Sequence, residues 1–260
     1  MRIALGLEYD GRGFCGWQTQ PGGCAVQNHL ESALAKFVAH PVSVTAAGRT
    51  DTGVHALAQV VHFETTAERE AVSWVRGPNA HLDAAIRVQW AAPVPDDFHA
   101  RFSATARAYD YWLLNDPVDA GVWQGRVGWF HQPLDAAIMQ RAAQVLVGQH
   151  DFTTFRAAEC QAASPERDLR ELTVTRHGAF IHFRFAANAF LHHMVRNLVG
   201  SLVYVGCGRQ PEGWLADILA ARNRALAAPT FAPDGLYLSD ITYDDAWNLP
   251  QFRRRSLFPE

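Results

Sequence analysis

Two runs of apolar and β-branched residues enclose a nine-residue segment: Val42, Val44 and Thr45 before it, Val60, Val61 and Phe63 after it. The segment reads Gly48-Arg49-Thr50-Asp51-Thr52-Gly53-Val54-His55-Ala56. The pattern predicts two strands joined by a glycine-relaxed loop. Gly48 and Gly53 permit backbone angles closed to other residues and let another molecule come close to the main chain. A scaffold of strands fixes such a loop while leaving its side chains accessible, which suits a reactive group.

Asp51 at the loop's centre has two readings. It can be a turn residue whose carboxylate accepts backbone hydrogen bonds, or it can be the reactive group itself. Asp-Thr-Gly also occurs in aspartic proteases, which need two carboxylates sharing one proton. That chemistry calls for a second copy of the triplet, preceded by apolar residues. Here Arg49-Thr50 precedes it, and the later Asp234-Gly235 lacks the threonine. A protease reading is therefore weak.

Strand and helix periods extend along the chain. Arg2 to Glu8 predicts a strand, and Val26, Leu30, Ala33, Leu34, Phe37 and Val38 lie at helical spacing. Glu68 to Leu82 predicts a helix in its first half, interrupted by Gly77-Pro78, and Ile86–Trp90 and Phe98–Leu114 read as strands. Asn115 to Gln132 has no period. Leu134–Val147 predicts a helix, Glu171–Asn188 a hairpin turning at His177-Gly178, Leu191–Val205 and Trp214–Arg222 helices, and Leu236–Tyr243 a closing strand. The second half thus repeats the element order of the first. An α+β fold follows: two similar ferredoxin-like or RRM-like halves sharing a central, mostly antiparallel sheet with helices packed on it. The expected division is 1–103, carrying the central loop, then 104–250, then a loose tail at 251–260 with Arg253-Arg254-Arg255.

Size and composition narrow the class. A chain of 260 residues can bury roughly 70–75% of its unfolded surface. No apolar run is long enough to cross a bilayer, and the N-terminus passes straight into strand-like sequence without a signal peptide. The four cysteines show no close Cys-x-x-Cys spacing, so neither a zinc site nor a disulfide framework is expected, and a reducing cytosol fits. The net charge of −3 argues mildly against nucleic-acid binding. Yet Lys36 is the only lysine, so the positive charge is almost all arginine, which recognises phosphates bidentately and stacks on bases. A GC-rich genome would also enrich arginine, and both explanations stand.

Three further stretches bear polar or aromatic groups in suggestive places. Tyr9-Asp10-Gly11 leads into Phe14 and Gly16-Trp17-Gln18, where Arg12, Gln18 and Gln20 could bond sugar and phosphate oxygens, or simply form a polar loop over a buried Trp17. Alternation along Arg107-Ala108-Tyr109-Asp110-Tyr111 puts Tyr109, Tyr111 and Leu113 on one side of a strand. Leu191, Val195, Leu198 and Leu202 form a buried helical stripe with Arg196 beside it; a guanidinium there is either paired or reaches out to solvent. His192 and His193 are adjacent, so on a helix they diverge by about 100° and make a poor metal pair.

The nonapeptide, the Tyr9–Gln20 stretch, Arg107–Tyr111, Gly148–Phe155, Asn188–Asn197 and Gly235–Leu238 together resemble the bacterial tRNA pseudouridine synthases of the TruA family. The resemblance implies that uridine is isomerised to pseudouridine at positions 38–40, in the anticodon stem-loop of tRNA. It assigns catalysis to Asp51, stacking on the target uracil to Tyr109, filling of the space left by the flipped nucleotide to Arg49, and an ion pair with Asp51 to Arg196. Breaking and remaking one glycosidic link needs no electron transfer or group donor, so no cofactor and no metal are expected. One carboxylate suffices, unlike the two of glycosidases. The resemblance further implies a cytoplasmic homodimer that binds the anticodon arm of tRNA across both subunits, with no membrane association. A non-catalytic RNA-binding module of paired RRM-like halves, reading bases by stacking, is the contrasting possibility.

Overall fold

The computed structural model describes residues 1–252, and the arginines of the expected tail lie outside them. The chain separates into two compact units: Met1–Thr105 with the chain from Leu238 onward, and Ala106–Tyr237.

The first unit opens with β1 (Arg2–Tyr9), α1 (Val26–Val38), β2 (Thr45–Ala46), β3 (His55–Glu64), α2 (Ser73–Asn79) and β4 (Ile86–Val94). In the second lie β5 (Ala104–Asn115, whose first two residues group with the first unit), β6 (Gly128–Phe130), α3 (Ala136–Ala143) and β7 (Gly148–Asp151). There follow β8 (Glu166–His177), β9 (Phe180–Ala187), α4 (Met194–Gly206) and α5 (Trp214–Ala221). The last strand, β10 (Leu236–Tyr243), returns to the first unit from Leu238.

In the first unit the strands run β4-β1-β3-β10, with the short β2 on β3. β1 pairs antiparallel with both β3 and β4, in the registers Leu5↔Val61 and Leu5↔Ala91. Trp74 of α2 meets Phe37 of α1 and Phe63 of β3 edge-on, with ring centroids 5.3 and 5.8 Å away. The apolar stripe of α1 and the inner face of β3 thereby share one core.

α2 departs from expectation: it occupies the middle of its stretch and runs through Gly77-Pro78. A helix of seven residues loses only one internal bond to the proline. Gly77 is needed there because a Cβ would collide with the Phe37 ring. Residues 98–103 also fold into turns rather than extending β5. The His99 ring accepts the N–H groups of Arg101 and Phe102 (both 3.2 Å), and Ser103 Oγ accepts that of His99 (3.0 Å), so local side-chain bonds displace the ladder.

In the second unit the order is β5-β9-β8-β7, all antiparallel neighbours, with β6 running parallel to β5 inside the supposedly aperiodic stretch. The hairpin of β8 and β9 turns where expected, at Gly178 with φ +61°. Ile181, Phe183 and Phe185 of β9 are fully buried beside Tyr111 and Leu113 of β5. α3 starts two residues later than its apolar period suggests, because Asp135 caps it by accepting from Ala137 and Ile138 N–H (2.9 and 3.0 Å), and it ends early in a 3-10 turn at Gln144–Leu146. α3 packs against β8 and α4. Among the described residues no helix is long and apolar enough to cross a membrane.

Candidate active site

The loop that joins β2 to β3 belongs to the first unit. β2 aligns with β3 through Thr45↔His62 and Ala46↔Val61, and a last ladder bond runs from Ala47 N–H to Val60 carbonyl (2.8 Å). Beyond it the main chain is gripped by a side chain. Gln59 of β3 is fully buried; its Nε2 donates to the Gly48 carbonyl (2.8 Å), and its Oε1 accepts from Gly48 N–H (3.4 Å) and Val60 N–H (3.2 Å). Two residues on, the buried Thr50 hydroxyl shares a 2.8 Å hydrogen bond with the Tyr9 hydroxyl of β1. Burial pushes the Tyr9 phenol up to about 12, against the pull of its bonds to Thr50 and Gln59.

The Thr50 carbonyl accepts from Trp17 N–H (2.9 Å), and the Asp51 carbonyl from Val54 N–H (3.1 Å), which closes a turn over Gly53 at φ +80°. Gly16, at φ +88°, lies flat against this turn: a Cβ there would sit 2.8 Å from the Thr50 carbonyl oxygen. At the loop's end His55 is buried, and its Nδ1 accepts Gly11 N–H (3.1 Å) 3.4 Å from Asp10 Oδ1. Burial would raise the Asp10 carboxyl, but the bonds from Arg12 and the charges of His55 and Arg12 hold it below the ordinary range. What emerges from this packing is selective. Thr50 points inward, Asp51 is half-buried and Arg49 is exposed.

The neighbouring segment overturns one expectation. Cys15 and Cys24 are joined by a disulfide, with Cα atoms 5.5 Å apart. Linear spacing does not reveal it, because the Gln20–Gly23 turn brings the chain back on itself: Gly23 N–H bonds Gln20 carbonyl (2.9 Å) and Cys15 N–H bonds Cys24 carbonyl (3.0 Å). Arg12 is occupied by a two-pronged ion pair to Asp10 (2.9 and 2.6 Å), Trp17 is buried, and Gln18 and Gln20 are exposed.

The second unit carries the other two expected residues. Tyr109 lies on β5 opposite Phe185, is 9% exposed, and meets the Phe190 ring edge-on at 5.0 Å. Two residues along, Tyr111 is fully buried and its hydroxyl donates to the Ala232 carbonyl (2.9 Å). Arg196 sits in the first turn of α4, half-buried. Its Nε donates to the Phe231 carbonyl (2.8 Å), while Phe231 N–H returns a bond to the Arg196 carbonyl (3.2 Å).

α4 begins at Met194, three residues later than its apolar stripe implies, because His193 adopts the left-handed conformation at φ 60°. His192 and His193 therefore precede the helix instead of diverging along it, and their rings lie side by side at 3.9 Å. Next to Arg196, the buried Asn197 donates to the Phe155 carbonyl (2.8 Å) and accepts from Thr230 (2.7 Å) and Arg224 (3.0 Å).

Arg49 and Asp51 thus share one loop, while Tyr109 and Arg196 are held on a strand and a helix of the other unit. Sequence reasoning missed Gln59, the Tyr9 hydroxyl and Asn197. The available signal for Gln59 was a lone amide within Ala56-Leu57-Ala58-Gln59-Val60-Val61, an otherwise apolar strand.

Comparison with known proteins agrees with the resemblance seen in the sequence. A family model described as tRNA pseudouridine synthase matches residues 7–103 and 142–244. A protein of Methylobacillus flagellatus named tRNA pseudouridine synthase A is 56% identical over 255 residues, which is 98% of each chain. One of the same name from Burkholderia cenocepacia is 59% identical over 250 residues, covering 96% of this chain and 93% of its own. A third, from Nitrosomonas eutropha, is 56% identical over 97% of this chain and 91% of its own. Matches of this extent, spanning both units, leave one assignment: the chain belongs to the tRNA pseudouridine synthase family.

Proposed function

We propose that this protein isomerises uridine to pseudouridine in tRNA, with Asp51 as the catalytic group. The reaction breaks the bond from ribose C1′ to uracil N1, forms one from C1′ to C5, returns a proton to N1 and releases the proton of C5. Nothing is oxidised or transferred away. The supporting observation is the treatment of Asp51. Its flanking main chain is bonded on both sides, while the residue itself stays half-buried, two positions after the exposed Arg49. A turn residue with only a structural task has no need of such packing.

The remaining roles belong to the same proposal. The target nucleotide leaves its stack, at a cost of a few kcal/mol. Arg49 fills the space it vacates, and Tyr109 stacks on the uracil, worth roughly 1–3 kcal/mol. Arg196 pairs with Asp51 and orients its carboxylate. The substrate uridines are those at positions 38–40, on the 3′ side of the anticodon arm. The working form is a cytoplasmic homodimer whose arginines contact several phosphates, so binding weakens steeply with salt.

The test uses unmodified tRNA tritiated at uridine C5. Release of tritium by the wild type and its loss in Asp51→Asn is the expected result. Absence of release from any tRNA, with binding retained, would return the protein to the class of RNA-binding modules. Arg49→Ala is expected to slow single-turnover release; an unchanged rate on folded tRNA removes the space-filling role.

A further inference from the structure

We propose that Gln59 and Tyr9 are positioning residues for Asp51, forming a buried clamp that fixes the three residues before it and so aims its carboxylate. The inference rests on Asp51 being the catalytic group.

The argument begins with cost. An amide buried in a strand interior loses its hydration, and a leucine of similar size would not. Gln59 is nonetheless completely buried, between Ala58 and Val60. Its polar atoms are not spent on the strand ladder alone: both ends of the amide also reach the peptide groups of Gly48. Its Nε2 also lies 3.5 Å from the Tyr9 hydroxyl, which is itself bonded to Thr50.

One continuous network therefore runs from Gly48 through Gln59 and Tyr9 to Thr50, the residue immediately before Asp51. On the far side the Asp51–Val54 turn completes the fixation. Of the three residues immediately before Asp51, only Arg49 is exposed, as a group that must meet substrate would be. With a phenol pKa near 12, Tyr9 stays protonated throughout the working range and the network does not change with pH. Reaction rates depend steeply on such fixation: a displacement of about 1 Å can cost on the order of 100-fold.

Four variants test the clamp: Gln59→Leu, Gln59→Glu, Tyr9→Phe and Thr50→Val. The readouts are single-turnover tritium release, tRNA Kd and the folded fraction from denaturant titration. Gln59→Leu is expected to slow release by about 10- to 100-fold while Kd stays within about twofold, because the lost interaction serves the transition state and not binding. Gln59→Glu places a carboxylic acid in a buried site, which favours its neutral, donating form. It should recover rate at low pH and lose it as pH rises, a limb absent from the wild type and from Gln59→Leu. Tyr9→Phe and Thr50→Val remove the two ends of one bond, so the double variant should be no slower than the slower single one.

Folded Gln59→Leu with the wild-type single-turnover rate overturns the proposal. So does a rate loss that merely matches the loss of folded protein. If Gln59→Leu does not fold, Tyr9→Phe, which removes a single oxygen, decides by the same criteria. A wild type that releases no tritium sinks the catalytic assignment of Asp51; an active wild type with equally fast clamp variants sinks the clamp alone.

Discussion

The two units bury polar side chains for different purposes. Among the described residues the first unit buries Gln27, Thr50, His55, Gln59, His62 and Thr65, and the second buries Thr154, Asn197 and Ser201. In the first unit these groups reach out of regular structure to hold loops. Gln59 and Thr50 hold the Gly48–Ala56 loop, His55 holds Gly11, and His62 accepts from Ala100 N–H (3.1 Å). In the second unit they tie helices and short turns together. Thr154 donates to the Ile218 carbonyl of α5 (2.6 Å), Asn197 of α4 donates to Phe155, and Ser201 accepts from Ala228 N–H (3.4 Å). One unit fixes the loop to which we assign the chemistry; the other stiffens the helix that presents Arg196. Removing a polar group from the first should therefore register in rate, and from the second in stability.

Asp51→Asn poses the sharpest form of this contrast. Single-turnover release should fall by about 100- to 10,000-fold, the range expected for loss of a catalytic carboxylate. Unfolding free energy should move by less than about 1 kcal/mol. A large stability change with residual activity would mean that Asp51 serves the turn and not the reaction.

Asn197→Leu is the counterpart. It takes the donor from the buried Phe155 carbonyl and one bond each from the half-buried Arg224 and Thr230, which still bond each other. A stability loss of about 1–3 kcal/mol is expected by denaturant titration, the usual cost of one unsatisfied buried group. The rate per folded molecule should stay within a few-fold of wild type. A rate loss without destabilisation breaks the comparison, because α4 would then be tuned for chemistry.

Between these extremes lies the Cys15–Cys24 disulfide, which closes the loop whose Gly16 rests on the Asp51 turn. Replacing both cysteines by serine should lower stability by about 2–3 kcal/mol, the usual effect of opening a loop of this size. Mass spectrometry before and after reduction establishes the bond itself.

What the sequence made legible follows from the range of the interactions. α1 and β10 occupy the predicted residues, and the hairpin of β8 and β9 turns at Gly178 as expected, because period and turn chemistry are local properties. The starts of α3 and α4 were missed by two and three residues, since a cap at Asp135 and a left-handed His193 outrank apolar spacing. Gly77 within α2 was misread as a breaker because the ring it lies against, Phe37, is forty residues earlier. The central loop was recognisable from its own nine residues. Its support was not: Gln59 and Tyr9 matter through bonds to Gly48 and Thr50, and nothing in a strand's alternation announces such bonds.

The smallest effect concerns acid, and it also divides the units, because among the described residues only the first buries histidines. Burial is the main cause holding His62 down to about 4, from 6.5, reinforced by the charges of His99 and Arg2 and opposed by Glu64. Its Nδ1 must stay unprotonated to accept from Ala100 N–H. Between pH 6.5 and about 4 the unfolded chain therefore binds a proton that the folded chain refuses, so stability falls as pH drops through that window. The slope cannot exceed about 1.4 kcal/mol per pH unit for one group. Asp10 acts in a separate window: its folded pKa is depressed, so its contribution is retained until the pH falls below the ordinary 3.8. Denaturant titrations at pH 7, 6 and 5 should show the wild type weakening and His62→Gln weakening less. The residue of the slope falls to His99, whose pKa burial also lowers. Should His62→Gln keep the full wild-type slope, the acid sensitivity lies elsewhere, and the division between a unit that buries histidines and one that does not has no consequence in acid.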